Sequence, residues 1–204
     1  TTRRSLQYLD AGMPWYEAGQ RTHVELRPGD ASNGSLMRCA PVALLTWADT
    51  LANAQHSADS SLITHANPVA VDACVAFNQA LAVIVADAGA DFHGVGLIAA
   101  SHPEVIAAIQ DAPDGDPETL PSGGHVIATL RAAFWAVLTH DTFEDAVVAA
   151  VNLGQDADTT GAVAGALAGA RWGESAIPER WRSALLGHDE LVSLADELYS
   201  LSHN

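Results

Sequence analysis

The clearest hydrophobic periodicity lies in residues 60–87. Val71, Val75, Leu81, Ile84 and Val85 recur there at helical spacing, and Pro68 sits near a start, so the stretch is predicted to be mostly helical. The same reading predicts a short helix over residues 1–11, ended near Gly12 and Pro14, and another over 41–51. A loop around Gly89-Ala90-Asp91 leads to a helix at about 91–100, and Pro103 at a first helical position opens one to about Gln110. Further helices are predicted at about 125–139, 142–152, 156–172, 178–186 and 188–201, with plausible starts at Asp141-Thr142-Phe143-Glu144 and Ser175-Ala176-Ile177-Pro178-Glu179. Residues 19–35 are polar and rich in Gly, Pro and Asp, and read as a long loop. Residues 111–124, with three prolines, are the clearest loop of all. No internal repeat, low-complexity tail or linker interrupts the pattern. Ala is abundant and β-branched runs are few, so the fold class is read as all-α, in one domain.

One predicted helix stands out. Residues 162–172 are apolar, and Gly161, Gly165, Gly169 and Gly173 follow one another at four-residue spacing along a single stripe. Glycine costs about 1 kcal/mol per helix-interior position relative to Ala. The stripe therefore predicts close backbone packing, with this helix central and the most buried.

Composition narrows the function classes. The hydrophobic share of 49% excludes a disordered chain, and 204 residues suffice for a sizeable core. The formal charge is −16, and every one of the nine basic residues is Arg. Such a surface argues against nucleic acid and anionic membranes as partners. No apolar run reaches the ~20 residues of an uninterrupted bilayer span. Cys39 and Cys74 lie in apolar surroundings without metal-type spacing, and no apolar signal segment follows Thr1-Thr2-Arg3-Arg4. Both features point to a reduced, cytoplasmic chain.

The candidate chemistry centres on Asn152-Leu153-Gly154-Gln155-Asp156-Ala157-Asp158-Thr159-Thr160-Gly161. Two carboxylates two residues apart, with a hydroxyl next, supply oxygen ligands suited to a hard cation such as Mg²⁺ or Mn²⁺ and unsuited to zinc. The same start also fits plain helix capping by Asp156 or Asp158. Ser32-Asn33-Gly34-Ser35-Leu36-Met37-Arg38 runs from the long loop into a helix. Free backbone N–H groups and Arg38 there could receive a phosphate or carboxylate; a turn with a surface Arg is the simpler alternative. His65 precedes the helix at Pro68, and Ser122-Gly123-Gly124-His125 is a turn before a helix. Neither carries chemistry alone. Ser-His-Asp, Walker and Rossmann signatures are lacking.

Taken in order, Asn33-Gly34-Ser35-Leu36-Met37-Arg38-Cys39-Ala40-Pro41, Thr64-His65-x-x-Pro68, Ser122-Gly123-Gly124-His125-Val126 and residues 152–161 resemble the ADP-ribosylglycohydrolase family. Ala176-Ile177-Pro178-x-x-Trp181 is similar to that family's closing segment. The resemblance, from about Thr1 to about Leu186, implies a compact orthogonal helical domain with a dinuclear Mg²⁺ or Mn²⁺ site in a cleft. It also implies hydrolysis of the N- or O-glycosidic bond between ADP-ribose and a protein side chain or small leaving group. Carried over by motif, Asp156, Asp158 and Thr159 would be metal ligands, with Asp156 and Asp158 catalytic through the metal. Asn33, Gly34, Ser35 and Arg38 would line the ADP-ribose pocket. His65 and Ser122, Gly123 and Gly124 would border the ribose or adenine side. Two metals could bind the ribose hydroxyls, orient a water and stabilise an oxocarbenium-like centre.

The departures are specific. The family's N-terminal Gly-Asp-x-x-Gly and Thr-Asp-Asp-Thr motifs, which supply further metal ligands, have no counterpart in this sequence, and His125 stands where an aromatic is usual. Residues 1–204 therefore resemble the C-terminal part of such an enzyme, a domain without its N-terminal helices. Three side chains are too few for two octahedral ions. Either a further, N-terminal polypeptide completes the site, or the chain is a non-catalytic, truncated or structural relative that binds ADP-ribose. An unrelated all-α metal-binding module is a third reading, and it would leave the loop at 33–38 without a role.

Overall fold

The computed structural model describes residues 1–26 and 31–202. Among the described residues all regular structure is helical, apart from one isolated β-bridge between Ser32 and His125. The helices are α1 (Thr2–Asp10), α2 (Trp15–Glu25), α3 (Ala40–Thr46), α4 (Thr50–Leu62), α5 (Pro68–Ala86), α6 (Phe92–Ala99), α7 (Pro103–Gln110), α8 (Val126–Thr139), α9 (Phe143–Asn152), α10 (Ala157–Trp172), α11 (Glu179–Arg182) and α12 (His188–Leu201). Short 3₁₀ turns lie at Leu36–Arg38 and Glu174–Ala176.

Capping chemistry explains several starts. Asp49 accepts from the N–H groups of Leu51 and Ala52, Asn67 from Val69, and Thr142 from Asp145. Pro103 opens α7, as its position predicts. Asp49 also explains why the helix expected over 41–51 divides, with α3 ending at Thr46 before a fresh N-cap starts α4. The last expected helix before α12 shrinks to the four residues of α11.

Two expectations are corrected. The loop read over 19–35 contains helix through Glu25, because α2 starts at Trp15 and continues through Gly19; residues 27–30 lie outside the described part. A Cβ on Gly19 would lie 1.9 Å from the Leu62 carbonyl oxygen, so this glycine is where two backbones, α2 and the end of α4, approach most tightly. The glycine stripe of α10 does not have that purpose. A Cβ on Gly165 meets nothing within 4 Å, one on Gly169 only the edge of Phe143 at 4.0 Å, and only Gly161 is crowded, by Val151 at 2.8 Å. Nor is α10 the most buried helix. Twelve residues of α5 and ten of α8 are buried, against six of α10.

The core is therefore built around α5 and α8, with Phe77, Ile84, Leu130 and Phe134 fully buried and α10 laid alongside through Val163, Ala164 and Leu167. By length and composition α5 could cross a membrane, yet most of it is enclosed by the other helices. Cys39 and Cys74 are free and buried, and burial pushes the Cys39 thiol well up from its ordinary value. The packing brings three loops, 31–38, 122–126 and 153–156, to the α10 start.

Candidate active site

Backbone pairing sets the frame. The Asn33 N–H donates to the Gly124 carbonyl at 3.1 Å and the Val126 N–H to the Ala31 carbonyl at 2.8 Å, which fastens the first loop against the second. The third is fastened to the second by the Asp156 N–H donating to the Ser122 carbonyl at 3.0 Å. The fully buried Ser122 hydroxyl reaches the Leu153 and Gly154 carbonyls at 3.1 and 3.3 Å. This clamp holds a strained turn. Gly154 has φ +77° and Gln155 φ +51°, a left-handed conformation that a non-glycine residue rarely adopts. A Cβ at Gly123 would lie 3.1 Å from the Gln155 side-chain oxygen, so the Gly123-Gly124 turn lets the two loops meet.

Asp156 stands at the N-cap of α10, but its side chain makes no capping hydrogen bond. It faces the other loops instead. Asn33 Nδ2 donates to Asp156 Oδ2 at 2.7 Å and the Thr159 hydroxyl to Asp156 Oδ1 at 3.0 Å. The same Asn33 nitrogen donates to Thr129 Oγ1 on α8, also at 2.7 Å. Asp158 is exposed in the first turn of α10. The Asp156 carboxyl titrates below its ordinary value, first because Asn33 donates to it; burial opposes this, and Thr159 and Asp158 add to it. The depressed value means that the stabilisation is present above the ordinary carboxylate range and is lost as pH falls through the lowered value.

The donor set is two carboxylates and one hydroxyl. Hard oxygen donors fit Mg²⁺ or Mn²⁺, and each Asp156 oxygen accepts one hydrogen bond and keeps a lone pair free. Among the described residues no group of three or more His, Cys, Asp and Glu side chains gathers around a point, so the set stays short of an octahedral shell.

The remaining expected residues form a second cluster joined to the first by Ser32. His65 is buried, with Nε2 3.0 Å from the Ser32 hydroxyl and Nδ1 2.7 Å from the Thr64 hydroxyl. A Cβ on Gly34 would come within 2.8 Å of the His65 ring, so the loop can pass over His65 only as glycine. Ser35 is fully buried beneath the loop and accepts from the Ser61 hydroxyl at 2.8 Å; its side chain braces the loop from inside. Arg38 is exposed, but its guanidinium donates to the Ser60 carbonyl at 2.8 Å and the Thr64 hydroxyl at 2.9 Å. It holds the end of α4 in this conformation.

Sequence reasoning missed Thr129, and it placed Ser32, Thr64 and Met37 in the motifs without a role; the Met37 sulfur lies 3.9 Å from the Thr159 hydroxyl. Thr129 follows His125 by one helical turn, a hint of proximity to the turn at 122–124, but nothing local ties it to Asn33, 96 residues away. Two apolar grooves lie elsewhere. One, of about 510 Å³, is lined by Trp47, Leu51, Val75 and Ile98; the other, of about 650 Å³, by Phe143, Val147, Trp181 and Leu191. Neither has Asn33, His65 or Asp156 in its walls.

The chain is similar to known proteins. The ADP-ribosylarginine hydrolase Tri1 of Serratia proteamaculans is 29% identical over 211 residues, covering 99% of this chain and 54% of the relative. The Tri1 of Pseudomonas putida is 33% identical, covering 91% and 50%. The ADP-ribosyl-[dinitrogen reductase] glycohydrolase of Rhodospirillum rubrum is 32% identical over 166 residues, covering 77% and 51%. The chain thus spans about half the length of the curated relatives it matches. A solved structure described as an ADP-ribosylglycohydrolase-related protein complex superposes with a TM-score of 0.83 at 34% identity, covering 98% of this chain and 68% of that one. The family model for ADP-ribosylglycohydrolase matches residues 1–204 from end to end, and the chain belongs to that family.

Proposed function

We propose that this chain takes part in hydrolysing the glycosidic bond of an ADP-ribosyl conjugate, an ADP-ribosylated protein or a small ADP-ribose conjugate, with Mg²⁺ or Mn²⁺ held at the start of α10. The observation that carries this reading is the Asp156 carboxylate. It occupies an N-cap position yet forgoes capping, and its two oxygens are held instead by Asn33 and Thr159. The matched relatives named for ADP-ribosylarginine and ADP-ribosyl-dinitrogen reductase support the substrate class.

Asp156, Asp158 and Thr159 would hold the metal, which when bound would polarise a water and the ribose hydroxyls. Asn33 keeps Asp156 oriented. The backbone N–H groups of the loops at Gly34 and at Gly123-Gly124 would receive the diphosphate and ribose. His65, engaged at both ring nitrogens, presents a fixed edge beneath Gly34. Ser35 and Arg38 support the substrate loop through Ser61, Ser60 and Thr64. A non-catalytic, ADP-ribose-binding role is the second reading. It draws on the same Arg38, whose donors are partly spent within the fold, and on the three-oxygen donor set.

Mn²⁺ titration and release of ADP-ribose from an ADP-ribosylarginine substrate separate the two. Binding of Mn²⁺ that Asp156→Ala and Asp158→Ala both abolish, with slow turnover by residues 1–204 that follows metal occupancy, is the expected result. ADP-ribose binding that ignores Mn²⁺ and both substitutions, without turnover, would establish the second reading.

A further inference from the structure

We propose that Thr129 is a positioning residue for Asp156, acting through the side-chain amide of Asn33. The inference rests on the metal-ligand reading of Asp156 and adds to it a residue from the core of the fold. Asn33 Nδ2 carries two protons. One goes to Thr129 Oγ1 and the other to Asp156 Oδ2, both at 2.7 Å, so the nitrogen's donor capacity is fully used. The Thr129 hydroxyl is directed back to the His125 carbonyl at 3.4 Å, and its lone pair is what meets the amide.

The Asp156 carboxylate, an acceptor only, decides which way the amide lies, and the Thr129 lone pair takes the amide's second proton and so fixes where the nitrogen sits. Turned over, Asn33 would set its oxygen against the Asp156 carboxylate, two acceptors with no proton between them. Thr129 is fully buried and Asn33 is 7% exposed, so without the Thr129 oxygen one amide proton of Asn33 has no water to turn to. The effect reaches Asp156 because its other possible partners, the free N–H groups of the first turn of α10, pull it toward capping. Asn33 on one oxygen and Thr159 on the other hold it away from them. Ligand-orienting partners of this kind are worth roughly 10–100-fold in metal affinity. Thr129 belongs to α8 and Asp156 to the start of α10, so the relay ties the position of the candidate ligand to the most buried part of the molecule.

Mn²⁺ affinity, read from the electron paramagnetic resonance signal of free Mn²⁺, tests this on residues 1–204. Thr129→Val keeps the shape and removes the acceptor, and is expected to weaken binding roughly tenfold. Thr129→Ser, which keeps the hydroxyl, restores it. In an Asn33→Ala background Thr129→Val should cost nothing further, because the relay is already cut. An equal loss in that background would mean general loosening, and would overturn the relay. So would wild-type affinity in Thr129→Val when Asp156→Ala has lost binding, and this result leaves the metal reading standing. Wild-type affinity in Asp156→Ala itself would overturn the metal reading and the relay together. Should Thr129→Val lose its helical circular dichroism, Thr129→Ala carries the same comparison.

Discussion

At the residue scale, the two neighbouring aspartates of the α10 start have different surroundings. Asp156 receives hydrogen bonds from Asn33 and Thr159, whereas Asp158 is exposed in the first turn. Removing the first leaves the buried Asn33 amide with a proton unpaired, a loss of about 1–3 kcal/mol. Removing the second takes one exposed carboxylate from the favourable end of the α10 dipole, a surface change of about 0.5 kcal/mol or less. Asp158→Ala should therefore melt, metal-free, close to wild type, while Asp156→Ala melts clearly lower; urea unfolding of both shows it. A large loss in Asp158→Ala would make that residue a structural cap. The pairing of Asp156 with Thr159 was legible in the sequence, because three residues apart on a helix start means adjacent. The pairing with Asn33 was not, since 123 residues separate them. Ser35 and Arg38 show a related gap. Motif order names the loop they belong to, but only three-dimensional contacts show that their side chains brace it.

At the scale of elements, the helices with strong caps and clear periodicity were legible almost to the residue. The segment at 103–110 is one case and the segment at 142–152, capped by Thr142, another. What failed was the meaning of glycine. Both α2 and α10 contain glycines at helix-interior positions, and sequence alone cannot say which of them faces another backbone. The neighbours decide it. On Gly19 a Cβ would collide with the main chain at Leu62, an atom that cannot move aside cheaply, whereas on Gly165 it would enter open space. Gly165→Ala should thus stabilise the chain by up to about 1 kcal/mol through helix propensity alone. Gly19→Ala should destabilise it by about 1–3 kcal/mol or more, as overpacking does, and separate α2 from α4. Thermal melts of the two variants should move in opposite directions. Two shifts of the same sign would mean that the helix–helix contact at Leu62 is not as close as described.

At the scale of the whole molecule, charge is the dominant feature. Twenty-five acidic residues face nine Arg side chains, for a net −16. The exposed pairs Arg21–Glu25, Arg180–Glu144 and Arg182–Glu179 each contribute about 0–1 kcal/mol, too little to offset so large an excess of like charge. Self-repulsion is then the larger surface term, and it is spread over distances that salt can screen. The same field draws cations toward the molecule and opposes an anionic ligand, so a diphosphate must be received by local backbone groups against the overall sign of the surface. Raising NaCl from about 0.1 M to about 1 M shortens the screening length from about 10 Å to about 3 Å. Two readouts should respond in opposite directions. The melting temperature of the metal-free chain should rise, because repulsion among carboxylates is screened. Mn²⁺ affinity at the α10 start should fall, because the surrounding field no longer gathers the cation. A melting temperature that drops with salt would show that the ion pairs outweigh the repulsion. Mn²⁺ affinity indifferent to salt would place the metal's whole attraction in the contacts at Asp156, Asp158 and Thr159, with no help from the charge of the molecule around them.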